Sequence, residues 1–264
     1  MKGADLAKVK TGETMRSASR LLQVLSSFTL DRPAKTITEI SRELDLSATT
    51  VRRLLLTLES QGFVRHDPDT ARYCLHYEII RLAAVASETS SLIDVSAPIM
   101  EELRDKTEET VQLAVRNGTD VVFIANRDSP LQVRIFHPVG WRHPTYLGSA
   151  PGKVLLAWAG EEELHQLPPG PWPASTDRTI TDPAAFAEHL ASVRTAGYAT
   201  NDREMEDGIW GVAAPIRDHR GEVVAAINLP CPVMRAPEER RPELISATVE
   251  AAERISAALR FRPD

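Results

Sequence analysis

Residues 36–62, TITEISRELDLSATTVRRLLLTLESQG, decide how this chain is read. Thr36 and Glu39 have the T-x-x-E spacing of a capping box, so a helix is expected to open there. Ile37, Ile40 and Leu44 recur at helical spacing, Asp45-Leu46 interrupts them, and Ser47 caps a second, longer helix. In that helix Val51, Leu54, Leu55 and Leu58 fall at i, i+3, i+4 and i+7 and form a buried stripe. Thr49, Arg52 and Arg53 then point away from the stripe, with Thr50 on the flank. Two short helices joined by a tight turn, the second with Thr and Arg on its outer face, describe a helix-turn-helix. Arginine can bond guanine O6 and N7, and threonine a phosphate or a thymine methyl. The competing reading is an ordinary helical hairpin with a solvated basic face. Leu56 also lies outward, and nothing in this stretch accounts for it.

Upstream, Leu21, Val24, Leu25 and Phe28 mark a helix from about Arg16 that ends before Pro33 and covers the apolar side of the hairpin. Downstream of Gly62, residues 63–66 and 72–75 read as two short strands around Asp67-Pro68-Asp69-Thr70. Three helices and a β-hairpin make a winged helix, with Arg65 and Arg72 as candidates for wing contacts to DNA. Residues 1–14 read as a mobile tail from which Lys8 and Lys10 reach phosphates. Residues 1–77 hold 12 Lys+Arg against 9 Asp+Glu, net +3, so a whole-chain charge of −6 leaves −9 on the remainder. A basic head on an acidic body suits a DNA-binding module attached to something that does not bind DNA.

With 264 residues, two domains are expected: a winged helix-turn-helix over 15–77, a linker helix over 78–93, and a second domain over 94–264. The composition, 42% hydrophobic and 26% charged, is that of a soluble protein. No run of 18 apolar residues exists and the N-terminus has no apolar core of a signal peptide, so no membrane partner is expected. Cys74 and Cys231, without metal spacing, fit structural thiols in a reducing cytoplasm.

Residues 78–90 form an alanine-rich connector with Ile79, Leu82, Ala83 and Ala86 along one side, apolar surface that can pair with another subunit. Asp94 is expected to cap the next helix, with Pro98 in its first turn. From there the period changes. Residues 110–115, 121–125 and 131–135 read as three strands, the first two hinged at Asn117-Gly118. A helix over 152–159, an irregular Pro-rich stretch over 160–182, and a helix from Phe186 to a stop at Gly197 follow. Strands over 210–216 and 223–229 and an amphipathic helix from Leu244 to Leu259 complete an α+β domain with a mostly antiparallel sheet.

Taken together, ITEISRELDLSATTVRRLLLTLESQGFV, EETVQLAVRNGTDVVFI, LGSAPGKVLLAW and GYATNDREMEDGIWGVAAPIRDHRGEVVAAINLP resemble the IclR family of bacterial transcription regulators, from about Arg16 to the last helix. The resemblance implies a winged-helix head, a linker helix and a GAF-like effector domain. It also implies homodimers, or dimers of dimers, that bind a palindromic double-stranded DNA operator and respond to a small organic acid. One departure stands out. Leu147-Gly148-Ser149-Ala150-Pro151 occupies the place where small polar residues such as His-Ala-Ser/Thr often precede Gly-Lys, which leaves room for a different effector.

Pro151 follows Gly148-Ser149-Ala150 where helix starts favour proline, so this helix is expected to aim backbone N–H groups and its positive end at a carboxylate. Lys153 adds a charge there or is solvated. The resemblance adds Asn201 and Asp202 on a loop, Ile209 and Gly211 entering a strand, and Asn228 and Pro230 at the end of the last strand. Val133, Ile135 or Phe136, Trp141 and Tyr146 are expected to supply the apolar wall around Ala150 and Pro151. No phosphate loop, dinucleotide fingerprint or zinc-protease motif is present, so no catalytic residue, metal or cofactor is expected. His137 and His143 are read as surface or packing histidines, and the carboxylates Asp202, Glu204, Glu206 and Asp207 as a solvated loop with one or two facing a ligand. The rival functions are a GAF-like dimerisation scaffold without effector and, less favoured, a hydrolase whose head serves for attachment.

Overall fold

The computed structural model describes residues 16–88 and 91–259, so Lys8 and Lys10 lie outside the described residues. The chain divides into two compact units between residues 89 and 90.

The first unit runs α1 (Arg16–Ser27), β1 (Ala34–Lys35), α2 (Ile37–Leu44), α3 (Ala48–Ser60), β2 (Val64–Asp67), β3 (Arg72–Leu75) and α4 (Tyr77–Glu88). The capping box forms as spaced: the Glu39 N–H donates to Thr36 Oγ1 at 3.3 Å and the Thr36 N–H to Glu39 Oε2 at 2.7 Å. Asp45 turns the chain in the left-handed region, at φ 51°, and its N–H returns to the Ser41 carbonyl. The periodic residues Val24, Ile40, Val51, Leu55 and Leu58 close one core with Val64 and Tyr73 from the wing. The wing is larger than its hairpin. Residues 34–35 add a third strand, in the order β1-β3-β2, which the sequence reading lacks. A two-residue strand has no periodicity to read, and Lys35 disguises it as surface although its ammonium is buried against the Ser27 carbonyl and Glu43.

The second unit runs α5 (Ser91–Thr107), β4 (Val111–Asn117), β5 (Asp120–Arg127), β6 (Arg142–Pro144), α6 (Ala150–Ala157), α7 (Glu161–Leu164), α8 (Pro183–Ala196), β7 (Ala199–Asp202), β8 (Ile209–Arg217), β9 (Val223–Pro232) and α9 (Arg241–Ala258). All five strand pairings are antiparallel, in the order β6-β5-β4-β9-β8-β7. Period-two alternation sorts the strand residues between two faces. Ile227, Leu229 and Cys231 of β9 and Trp210, Val212, Ala214 and Ile216 of β8 pack with α5 and α9. Ala226 and Ala213, on the opposite face, pack with α6 and α8.

Several expectations are corrected here. Residues 131–135 are not a strand. Side chains hold that backbone instead: Thr110 Oγ1 donates to the Ile135 carbonyl (2.8 Å) and Arg235 Nη1 to the Val133 carbonyl (2.8 Å). The strand beside β5 is β6, with His143 opposite Val121. Asp94 is not a cap, because α5 begins at Ser91; it lies in the first turn, where its charge still meets the helix dipole, and Pro98 is interior. Residues 199–202 form β7 rather than a loop, and α7 interrupts the Pro-rich stretch. Among the described residues no helix is long and apolar enough to cross a membrane.

Candidate functional site

Two helix starts concentrate the chemistry. The first is that of α3, where Ser47 Oγ accepts the Thr50 N–H at 3.2 Å. Burial of Val51, Leu55 and Leu58 turns Ser47, Thr49, Arg52 and Arg53 outward, all exposed, with Thr50 half-buried. The guanidinium groups of Arg52 and Arg53 form no hydrogen bond or ion pair with another described residue, while the Arg53 carbonyl accepts from Thr57 Oγ1 at 3.1 Å. Leu56 is 50% exposed on the same outer side. The two wing arginines differ. Arg65 is exposed with one weak contact, to Cys74 Sγ at 3.8 Å. Arg72 is engaged within the head, donating to the Ala34 carbonyl (2.9 Å) and pairing with Glu39 (3.3 Å).

The second is the start of α6, which opens on a cavity on the α6 face of the sheet, with free space of about 50 Å³. Eight of the thirteen expected effector residues line it: Trp141, Ala150, Pro151, Asn201, Ile209, Gly211, Asn228 and Pro230. The strands explain four of these. Gly211 and Asn228 stand on the same sheet face as Ala213 and Ala226, two residues away along their strands, with Pro230 and Asn201 in register beside Gly211. Asp202, one residue beyond Asn201 on β7, does not line it, and is ion-paired with Arg178 and Arg241. Val133 and Phe136, 62% and 54% exposed, face away once their segment is a loop. Ile135 is absent from the wall, and Tyr146 packs instead on Trp172, with ring centroids 4.9 Å apart.

Sequence reasoning missed Phe123, His137, His143, Ser149, Met205 and, as a specific choice, Glu206. The two histidines read as surface or packing groups are part of an aromatic wall. His137 stacks on Trp141 at 3.9 Å, Phe123 lies 5.6 Å from Trp141, and His143 lies 5.0 Å from it. The signal was available: Phe123 and His143 lie on neighbouring, antiparallel strands, but β6 is three residues long. His143 Nε2 lies 2.6 Å from Ser149 Oγ, which also accepts the Gly152 N–H and so caps α6. Burial, with His137 nearby, pushes the His143 imidazole down to about 4, so it is neutral at physiological pH. Gly152 is required by this fit, since a Cβ there would stand 2.3 Å from the Thr145 carbonyl oxygen.

Lys153 does not face the cavity. It is fully buried, donates to the Thr200 carbonyl at 2.9 Å and pairs with Glu204. Burial pushes its pKa down and that of Glu204 up, while each partner's charge opposes the shift. The pair ties the first turn of α6 to the β7–β8 connection that carries Met205 and Glu206. The cavity wall therefore contains no lysine or arginine, and its one formal charge is the exposed Glu206 at the rim. Such a site can bind and orient a flat molecule with polar ends. Among the described residues no cluster of side chains can hold a metal.

Comparison with known proteins finds two family domains along the chain. Residues 17–68 match the IclR helix-turn-helix domain, and residues 84–257 match the bacterial transcriptional regulator IclR C-terminal domain. The HTH-type transcriptional regulator KdgR of Escherichia coli (strain K12) is 33% identical, over 99% of this chain and 98% of its own. BhcR of Paracoccus denitrificans (strain Pd 1222), another HTH-type transcriptional regulator, is 32% identical over 95% of this chain and 89% of its own. The crystal structure of an IclR homolog complexed with 4-hydroxybenzoate, from Microbacterium hydrocarbonoxydans, is 30% identical with a TM-score of 0.78, covering 92% of this chain and 99% of that one. The chain belongs to the IclR family, transcription regulators rather than enzymes, with a helix-turn-helix that binds DNA and a C-terminal effector-binding domain.

Proposed function

We propose that this protein binds a palindromic operator as a homodimer or dimer of dimers, and that a small organic acid with a flat, apolar body adjusts that binding from the cavity at the start of α6. Residues 15–77 read the DNA, 78–93 link, and 94–264 hold the effector, in the cytoplasm. The observation that carries the reading is the aromatic wall of Phe123, His137 and Trp141 beside the polar groups of Asn201 and Asn228. A wall of rings favours a planar molecule, and convergent amides favour one with a polar end. The relative solved with 4-hydroxybenzoate supports an aromatic acid ahead of an aliphatic one. The same cavity favours this reading over that of a scaffold without effector.

On the DNA side, Arg53 reads a base and Arg52 a neighbouring base or phosphate, with Ser47, Thr49 and Thr50 anchoring the helix start. Arg65 is the wing contact, while Arg72 joins it only by releasing Glu39. A dimer follows from the small surface that one winged helix buries on DNA. The apolar surface of α4 fits that role: Tyr77, Ile80 and Leu82 are 74%, 65% and 41% exposed. The test is an operator titration. Arg53→Ala is expected to lose ~1–3 kcal/mol at one base position, and wild-type affinity for operator and random DNA alike would sink the assignment. Ala150→Trp should fill the cavity without unfolding the chain, so that an acid that shifts operator affinity in the wild type no longer does so.

A further inference from the structure

The cavity wall holds one buried side chain whose hydrogen bonding is incomplete. His143 is 7% exposed, lines the cavity, and its Nδ1 has no partner. Its other ring nitrogen is engaged, and that contact decides which nitrogen carries the proton. Ser149 Oγ already accepts the Gly152 N–H, so its lone proton needs an acceptor. Among the described residues, His143 Nε2, 2.6 Å away, is the one acceptor within reach. Ser149 therefore donates to Nε2, and the neutral ring carries its proton on Nδ1. A buried N–H left unpaired is costly, and a ligand that supplies an acceptor removes that cost.

Two further donors share the wall. Asn201 Oδ1 is occupied by the N–H groups of Glu204 (2.8 Å) and Met205 (3.4 Å), which leaves its amide N–H groups to the cavity. At the start of α6, Pro151 has no N–H, and those of Gly152 and Lys153 return to Ser149. The Ala150 N–H is what the helix start has left to offer. Asn228 Nδ2 donates to Gln112 Oε1 at 3.0 Å, so its own oxygen remains as an acceptor.

We propose that His143 is the effector-reading residue of this cavity, its Nδ1–H donating to the carboxylate of an aromatic acid beside Asn201 and Ala150, with no cation taking part. This rests on the organic-acid reading above and names how the acid is held. Asn228, as an acceptor, suits a hydroxyl elsewhere on the ring.

Calorimetric titration of the full chain with benzoate, 4-hydroxybenzoate and the uncharged benzyl alcohol tests it, using two variants that split the histidine in half. Asparagine can place an N–H near Nδ1 but cannot reach Ser149, whereas glutamine can accept from Ser149 but offers nothing at Nδ1. His143→Gln is expected to weaken the acids by at least about tenfold, the scale of a hydrogen bond to a charged group. His143→Asn should retain most of the affinity, and both variants should treat benzyl alcohol alike. The reverse order, glutamine preserving and asparagine losing the acids, assigns His143 to holding Ser149 and overturns the proposal, as does equal binding by both variants and the wild type. Failure of the wild type to bind either acid at millimolar concentration overturns the organic-acid reading itself, and this inference with it.

Discussion

The helices α3 and α6 open with the same device and put it to different use. Ser47 caps α3 in the open: its Oγ holds the Thr50 N–H and touches Thr50 Oγ1 at 2.8 Å, and both hydroxyls border solvent. Ser149 caps α6 under cover, fixed between the Gly152 N–H and His143 Nε2, with Lys153 and Glu204 buried behind it. An exposed cap is cheap to reorient and can turn towards a phosphate. A buried cap is committed, because each atom around it depends on its neighbour for a partner. The difference teaches that a helix start becomes a selective site through what surrounds it rather than through its dipole.

The largest expected effect comes from breaking the support of the buried start. Lys153→Met leaves Glu204 buried without its cation, and removing one partner of such a pair costs about 3–5 kcal/mol. Adding Glu204→Gln should recover much of that loss, and denaturant unfolding of the three proteins checks it; a single variant as stable as the wild type would mean that the pair is solvated. Among the described residues no such buried pair stands behind Ser47, where the Arg52 and Arg53 side chains are exposed.

Acid should separate the two starts next. An imidazole held at about 4 in the folded chain and near its ordinary 6.5 when unfolded binds its proton first in the unfolded state. Its contribution is fully present above pH 6.5 and is lost as the pH falls towards 4, an effect on the order of 3 kcal/mol. His137, pushed down by burial, acts in the same direction. His143→Phe should flatten this acid limb in urea melts between pH 7 and pH 4.5, and an unchanged slope would show the ring to be hydrated.

Serine-to-alanine changes compare the caps directly. Ser47→Ala should cost about 1 kcal/mol, the ordinary price of an exposed N-cap. Ser149→Ala should cost roughly 2–3 kcal/mol, because it also strands His143 Nε2 in the interior. Equal losses in thermal melts would erase the distinction. The smallest effect belongs to the rim: Glu206→Gln removes a repulsive but exposed charge and should tighten 4-hydroxybenzoate by about two- to threefold at low salt, fading as salt screens it.

The head was legible because its information is local. The T-x-x-E spacing, the Ser47 cap and the four-residue stripe each lie within one or two helical turns, and they place Arg52 and Arg53 outward without knowledge of anything distant. The cavity was legible at Pro151, where a helix start speaks for itself, and at Gly211 and Asn228 through the family resemblance, while the alternation of their strands is the physical reason that they face it. It was not legible where long-range contacts decide. The alternating residues 131–135 read as a strand because period two is also what a loop shows by chance, and the partners that claim its carbonyls, Thr110 and Arg235, are remote in sequence. His143 was missed because its strand is three residues long and its meaning comes from Ser149. Lys153 was left open as a solvated charge because nothing near it in sequence announces Glu204, 51 residues away.

The alternation of β9 has a consequence for how such a protein changes over generations. Ile227, Leu229 and Cys231 are held by the packing of α5 and α9, while Asn228, bonded to Gln112, and Pro230 between them line the cavity. One strand thus carries two interleaved inheritances, one bound to the architecture and one to the chemical surroundings of the organism. On the proposed reading, substitutions at the second set would retune the signal a cell responds to while the first set keeps the scaffold in being.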